Sequence, residues 1–135
     1  EEISGLVIDS GFALTVPLLQ CLGVDTDNMG IKETDGFKNV QNIAQFTKPT
    51  LIIHAQFDQF IPVMSAEVLQ VQCAARSKEF LMVPGADHNT ILAQSGKNYF
   101  KTVKQFTNKI EGKREKRISF REKRETRKRL KEEKS

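Results

Sequence analysis

Two segments of the sequence each place a polar side chain soon after a short apolar run. Residues 51–62 read Leu-Ile-Ile-His-Ala-Gln-Phe-Asp-Gln-Phe-Ile-Pro and contain Asp58, and residues 80–90 read Phe-Leu-Met-Val-Pro-Gly-Ala-Asp-His-Asn-Thr and contain His88. A carboxylate that accepts a hydrogen bond from one nitrogen of an imidazole leaves the other nitrogen ready to take a proton. Asp58 and His88 are therefore candidates for the orienting acid and the general base of a catalytic triad.

The elements around these two residues predict that they meet. Each apolar run is typical of a buried strand in a parallel sheet, and the helix predicted between the runs would return the chain by a right-handed crossover. Both side chains would then lie at the carboxyl edge of the sheet, where open α/β sheets bind their ligands. Taken alone, Asp58 is typical of a turn and His88 of an exposed loop; their expected convergence favours the catalytic interpretation.

The same residues resemble the C-terminal part of the α/β-hydrolase family, in the group of small serine esterases, acyl-protein thioesterases and serine aminopeptidases. The similarity is carried by residues 49–54 (Pro-Thr-Leu-Ile-Ile-His), by Asp58, by residues 61–62 (Ile-Pro) and by residues 83–89 (Val-Pro-Gly-Ala-Asp-His-Asn). In that family the chain order is nucleophile, acid, histidine. The resemblance therefore implies Asp58 as the acid, His88 as the base, a structural role for His54, and hydrolysis of an ester, thioester or amide bond.

Two positions depart from the pattern of the family. Ala55 stands where a Gly usually precedes the acid turn, and Asp87 stands where a small residue usually precedes the histidine. Neither residue excludes catalysis. Asp87 nevertheless adds a second carboxylate, which could compete for the orientation of the His88 ring.

The sequence lacks the nucleophile motif of the family. A G-x-S-x-G elbow needs small flanking residues for its strained turn, whereas the nearest candidate, Ile-Asp-Ser-Gly-Phe at residues 8–12, has bulky outer residues. Ser10 is therefore interpreted as a loop residue after the first strand. Because the chain also begins with Glu, we expect a C-terminal portion of a longer hydrolase that has no hydrolase activity by itself.

The apolar patterns predict an α/β chain with about three parallel strands and flanking helices, followed by a charged tail that is either helical or disordered. Strands are predicted at residues 3–9, 51–53 and 80–83. The resemblance covers residues 1–110, which form the predicted hydrolase-like region. Residues 111–135 form the predicted basic tail.

The helices of the body are predicted from spacing and capping residues. A loop with a short helix is predicted at residues 12–22, a polar loop at 23–36 and a helix at 37–46. Ser65 is predicted to cap the next helix. The stripe of that helix that packs on the sheet is predicted to be Met64, Val68, Val71 and Ala75. The last body helix is predicted to follow a cap at Asn89 and to repeat apolar residues at Tyr99, Val103, Phe106 and Ile110.

Three apolar residues are candidates for a substrate pocket: Phe12, Leu14 and Ile61. In the family, the region of Phe12 and Leu14 lies beside the active site, so the resemblance implies that such residues contact an acyl or other apolar group. The alternative for each of them is simple core packing. The partner expected for the full-length protein is a small-molecule, acyl or peptide substrate.

Composition sets further bounds on function. Hydrophobic residues make up 39% of the chain, but no apolar run approaches the ~20 residues of a membrane-spanning helix. Cys21 and Cys73 have no metal-ligand spacing and are expected to be reduced, which favours a cytoplasmic protein. We expect neither a cofactor nor a metal site.

The positive charge is concentrated at the C-terminal end. Residues 111–135 contain 12 Lys or Arg and 6 Asp or Glu residues, whereas residues 1–110 contain 9 and 11. A charge run of this kind is usually solvated, but it also allows weak contact with a polyanion, because Lys and Arg release counterions from phosphates. The alternative function is therefore a noncatalytic, hydrolase-like adaptor whose tail contacts nucleic acid or an anionic surface.

Overall fold

A computed structural model describes residues 3–132. Its three strands are β1 (Leu6–Asp9), β2 (Thr50–Ala55) and β3 (Lys78–Val83). They form one sheet in the order β1-β2-β3, and both pairings are parallel. The prediction of an α/β chain with about three parallel strands is confirmed.

The central strand β2 is buried along its whole length. Leu51, Ile52 and Ile53 are each at most 1% exposed, as expected for a strand that has hydrogen-bonded neighbours on both edges and covered faces. Ile52 pairs in register with Ile8 of β1 and Phe80 of β3. The strand thus gives the loop after Ala55 a fixed starting point.

The helices have the following bounds: α1 (Thr15–Cys21), α2 (Asn39–Ile43), α3 (Val63–Gln72), α4 (Ile91–Ser95) and α5 (Lys97–Glu132). A single 3₁₀ turn, Glu33–Asp35, lies in the predicted polar loop. The carboxylate of Glu33 accepts hydrogen bonds from the backbone N–H groups of Thr15 and Val16. It thereby satisfies donors that the first turn of α1 leaves free.

The face of α3 that packs on the sheet differs from the predicted one. Of the predicted stripe, Met64 is 68% exposed and Val71 is 73% exposed, and Val68 is exposed as well. The buried residues of α3 are Ala66 and Leu69, and Cys73 and Ala75 are buried just after its end. All four join Ile43 and Ile52 in the core. The predicted stripe is thus right at Ala75 and wrong at its other three residues. Apolar residues lie on more than one side of α3, so their spacing does not select the side that packs on the sheet.

Two predicted caps were also wrong. Ser65 lies inside α3, where its hydroxyl accepts a hydrogen bond from the backbone N–H of Ala13. Asn89 lies in the turn before α4, and the N-cap position belongs to Thr90. The predicted last helix is split into α4 and α5 at Gly96, whose φ of 51° is in the left-handed region that favours glycine.

Contacts divide the chain into two compact units, Glu1–Val103 and Lys104–Ser135. In the second unit, α5 continues as a helix through Glu132, and residues 113–132 are all exposed. The charged tail is therefore helical as far as the structure describes it, while the predicted domain boundary after residue 110 stays a prediction. None of the helices within residues 3–132 combines the length and apolar character needed to cross a lipid bilayer.

Candidate active site

The carboxylate of Asp58 is held by the loop that follows β2. Its Oδ1 atom accepts hydrogen bonds from the backbone N–H groups of Phe60 (3.0 Å) and Ile61 (2.8 Å). The side chain has no exposed surface. These bonds turn the acid back toward the sheet, and they leave its second oxygen, Oδ2, available to another donor.

That second oxygen binds the imidazole of His88. Asp58 Oδ2 and His88 Nδ1 lie 2.7 Å apart, and one third of the His88 side chain is exposed. The ring of Phe60 meets the imidazole edge to face, with centroids 5.3 Å apart. The structure thus brings the two predicted residues together. Because a carboxylate can only accept a hydrogen bond, the neutral ring must carry its hydrogen on Nδ1, which leaves Nε2 as an acceptor.

Two glutamines position the loop that carries His88, and sequence reasoning did not identify them. Gln59 Oε1 accepts the backbone N–H of His88 at 3.1 Å, and Gln56 Oε1 accepts the backbone N–H of Gly85 at 2.9 Å. Between these two contacts, the backbone N–H of Phe57 donates a hydrogen bond to the carbonyl oxygen of Ala86. The only signal in the sequence is their position: Gln56 lies two residues before Asp58, and Gln59 lies one residue after it. The loop between β2 and α3 (residues 56–62, the acid loop) therefore holds the loop between β3 and α4 (residues 84–90, the histidine loop) directly.

Asp87 does not orient the His88 ring. Its Oδ1 atom accepts the backbone N–H groups of Asn89 and Thr90 and the hydroxyl of Thr90. These bonds, above all the one from the Thr90 hydroxyl, lower the pKa of the Asp87 carboxyl below its ordinary value. Asp87 therefore does not compete with Asp58 for the imidazole of His88. Asp87 stabilises the turn, and Asp58 binds the ring.

His54 lies near the same carboxylate but is bound elsewhere. It is fully buried in β2, and its Nε2 atom is 2.7 Å from the carbonyl oxygen of Ile61, to which it must donate. The distance from Nε2 to Asp58 Oδ2 is 3.7 Å. Its Nδ1 atom has no hydrogen-bond partner among residues 3–132. This environment fits the structural role that the resemblance implied.

Ser10 follows β1 as a loop residue, and its hydroxyl is already bound. The hydroxyl donates to Asp9 Oδ1 at 2.8 Å, and Tyr99 donates its own hydroxyl to Asp9 Oδ2 at 2.6 Å. The Tyr99 bond, together with burial, raises the pKa of Tyr99 to about 12. Within the described part of the chain, the Ser10 hydroxyl is thus hydrogen-bonded to Asp9 and not to His88.

The three residues proposed for a substrate pocket line one cavity of about 260 Å³. Phe12 and Leu14 come from the segment after β1, and Ile61 comes from the acid loop. Phe60, which contacts His88, also lines it. A larger cavity of about 360 Å³ contains Phe12 but neither Phe60 nor any residue of the acid–histidine pair. Asp58 and His88 line neither cavity, and the smaller one is nearer to them only because Phe60, which contacts His88, forms part of its wall. Across residues 3–132, no group of three or more His, Cys, Asp or Glu side chains is arranged to hold a metal ion.

Comparisons with known proteins give distant likenesses. No protein-family model matches the chain, and no curated protein matches it. Among solved structures, it is similar to a cold-adapted esterase from an Arctic intertidal metagenomic library, with 15% identity and a TM-score of 0.46, over 69% of this chain and 33% of the esterase. It is also similar to a thermophilic esterase from Thermogutta terrifontis, solved with malate bound, with 17% identity and a TM-score of 0.48, over 58% of this chain and 28% of that one.

The chain thus matches a third or less of the length of these two esterases. Identities and TM-scores this low do not assign it to a family.

Proposed function

We propose that this chain carries the acid and the general base of a serine-type hydrolase that cleaves an ester, thioester or amide bond. The observation that carries the proposal is the 2.7 Å contact between Asp58 Oδ2 and His88 Nδ1, made by a carboxylate without exposed surface to a partly exposed ring. A buried acid that fixes the tautomer, with a base that solvent or substrate can reach, is what nucleophile activation requires. In this proposal the region resembles the C-terminal part of an α/β-hydrolase.

The chemistry assigned to His88 has two halves. In the first, Nε2 takes the proton of a serine hydroxyl as its oxygen bonds to the substrate carbonyl carbon, and then gives that proton to the leaving group as the old bond breaks. In the second, Nε2 takes a proton from water, which attacks the acyl-serine, and returns it to the serine oxygen. Asp58 keeps the ring oriented and stabilises the imidazolium in both halves.

The serine itself is proposed to lie outside these 135 residues. The hydroxyl of Ser10 donates to Asp9, and the sequence contains no G-x-S-x-G elbow. The isolated chain is accordingly proposed to have no hydrolase turnover.

The substrate is proposed to carry a short apolar acyl group. The cavity of about 260 Å³ is lined mainly by apolar side chains, including Phe12, Leu14 and Ile61, and it reaches Phe60 beside the imidazole. An apolar cavity next to a few oriented polar groups is the usual form of a small-ligand site.

The experiment compares the 135-residue chain with the product of the complete reading frame that contains it. Hydrolysis of p-nitrophenyl acetate, butyrate and octanoate is measured for both. We expect turnover only for the complete product, a preference for the shorter esters, and a loss of kcat/KM by about 10³-fold or more in H88Q. D87N is the matched control, since it changes the neighbouring residue and keeps the turn acceptor; its activity should stay near that of the parent.

Two outcomes would contradict the proposal. One is turnover by the 135-residue chain that S10A abolishes, because the nucleophile would then be Ser10. The other is a complete product whose turnover is unchanged in H88Q.

A further inference from the structure

More than half of the Lys and Arg residues of the protein lie in one stretch of helix α5. Residues 113–132 contain 11 Lys or Arg and 4 Glu residues, out of 21 Lys and Arg in the chain. Every residue in this stretch is exposed, and the stretch lies within the second compact unit. Because no core packing constrains these side chains, the surface of the helix is defined by its charges.

The helical repeat sorts these charges onto two sides. At 3.6 residues per turn, successive side chains turn by about 100°. Ten of the 11 basic residues then project from one half of the helix, which we call the basic face. Four residues near its middle, Lys113, Arg117, Arg124 and Lys128, are called the central row. The four Glu residues and Arg129 project from an arc of about 100° on the other side. Opposite charges are thus separated and not interspersed around the helix.

Little of the charge in the central row is neutralised by salt bridges. Lys128 and Glu132 approach to 3.9 Å, but their side chains are 79% and 66% exposed. A surface pair of this kind contributes little, because water screens both groups. The basic face therefore keeps an electrostatic attraction for a linear polyanion.

Phe120 lies next to the central row of the basic face. It follows Arg117 by three residues and precedes Arg124 by four, so all three project from nearly the same side. The Phe120 side chain is 77% exposed. Ile118 and Leu130 are also partly exposed, but by the same rotation they project from other sides of the helix. The basic face therefore combines a row of cations with a single accessible aromatic ring.

We propose that the basic face binds single-stranded nucleic acid, with Lys and Arg contacting phosphates and Phe120 stacking on a base. Charged grooves that also present aromatic rings are the usual means of binding single strands without sequence preference. A helix that lies in a membrane interface needs a continuous apolar face, whereas this face has one apolar residue. From Lys113 to Lys128 the helix rises by about 22 Å, which is enough to contact several successive phosphates.

This inference does not depend on the hydrolase proposal, because its residues lie outside the acid–histidine pair. The test uses the 135-residue chain and a fluorescent oligo(dT) of about 16 nucleotides, with binding followed by anisotropy at several salt concentrations. We expect the logarithm of the binding constant to fall against the logarithm of salt with a slope of about −3, which corresponds to four phosphates neutralised. H88A should bind as the parent does, which separates the two proposals.

Matched variants distinguish binding by the basic face from attraction by the net charge of the helix alone. R124Q and R129Q each remove one exposed arginine from the same helix, but only Arg124 lies on the basic face. R124Q should weaken binding about three- to tenfold and make the salt slope shallower by about 0.7, with R129Q close to the parent. F120A should weaken binding about 5- to 100-fold with little change in slope, whereas I118A should have no such effect.

Three results would overturn the proposal. Equal losses in R124Q and R129Q would mean that only net charge matters. An unchanged affinity in F120A, together with equal binding of a duplex of the same length, would remove the single-strand assignment. Tighter binding to phosphatidylserine-containing vesicles than to the oligonucleotide, lost in F120A, would identify a membrane surface instead. Circular dichroism of each variant confirms that the helix is retained.

Discussion

The two histidines of the chain lie around one carboxylate in opposite environments. His54 is inside β2, without exposed surface, and binds the carbonyl oxygen of Ile61 through Nε2. His88 is in the loop after β3, one third exposed, and binds Asp58 Oδ2 through Nδ1. The partner of each ring therefore requires the opposite tautomer: hydrogen on Nε2 in His54 and hydrogen on Nδ1 in His88.

Because of this difference, only His88 meets the geometric requirements of a base. A catalytic imidazole needs an acceptor on one nitrogen and access to substrate on the other. His88 has the acceptor and the exposure, whereas the only unbound nitrogen of His54, Nδ1, is buried. Proximity to an acid is thus insufficient to identify a base, and the ring nitrogen that the acid binds decides it.

The largest expected effect is that of D58N on turnover of the complete product. The amide can keep an oxygen as acceptor for the N–H groups of Phe60 and Ile61, so the loop should persist. Its NH₂ group then faces His88 Nδ1 and favours the tautomer with hydrogen on Nε2, which cannot accept a proton from the nucleophile. We expect kcat to fall by about 10⁴-fold. A loss below tenfold, measured on folded protein, would mean that Asp58 does not orient the base.

A smaller effect is expected on stability. Here the loss of His54 should lower the free energy of unfolding more than the loss of His88. H54A leaves a cavity in the sheet and removes the donor to the Ile61 carbonyl, so it should lower the free energy of unfolding by about 2–4 kcal/mol. H88A removes a partly exposed ring, and water can reach Asp58 Oδ2 in its place, so about 1 kcal/mol is expected. Urea unfolding of both variants measures the difference. A greater loss in H88A than in H54A would contradict the assignment of His54 as structural.

The smallest effect concerns Asp87, the neighbour of His88 in the sequence. Its pKa is lowered in the folded chain, so its contribution to stability is present above the ordinary pKa and is lost as the pH falls through the lowered one. D87A should therefore be less stable than the parent at neutral pH, and the gap should narrow below about pH 4. D87N keeps a turn acceptor and should lie between them. A gap that widens on acidification would show that the carboxylate is not the stabilising form.

The strands were predictable because a buried parallel strand leaves a direct trace in the sequence. Leu51, Ile52 and Ile53 form a short, continuous apolar run rich in β-branched residues, which is typical of a strand covered on both faces. The orientation of α3 was not predictable in the same way. Several of its positions are apolar, and the choice between the stripe at Met64 and the one at Ala66 depends on how closely the helix approaches the sheet.

The site was predictable where it follows from topology and not where it depends on loop conformation. Parallel strands bring Asp58 and His88 to one edge, so their approach could be expected. The bonds from Gln56 and Gln59 depend on loop dihedral angles that no periodicity encodes. In the tail, the sequence gives the excess of charge, but its separation onto two faces appears only once the helix fixes the rotation of each residue.

The tautomeric state of the two imidazoles most directly tests whether Asp58 orients His88, and it can be read from long-range proton–nitrogen NMR correlations at a pH where both rings are neutral. The chain contains only these two histidines, and H54A identifies the signals that remain as those of His88. We predict hydrogen on Nδ1 in His88 and hydrogen on Nε2 in His54. Hydrogen on Nε2 in His88, or a ring that averages between both forms, would contradict the role of Asp58 as the residue that orients the base.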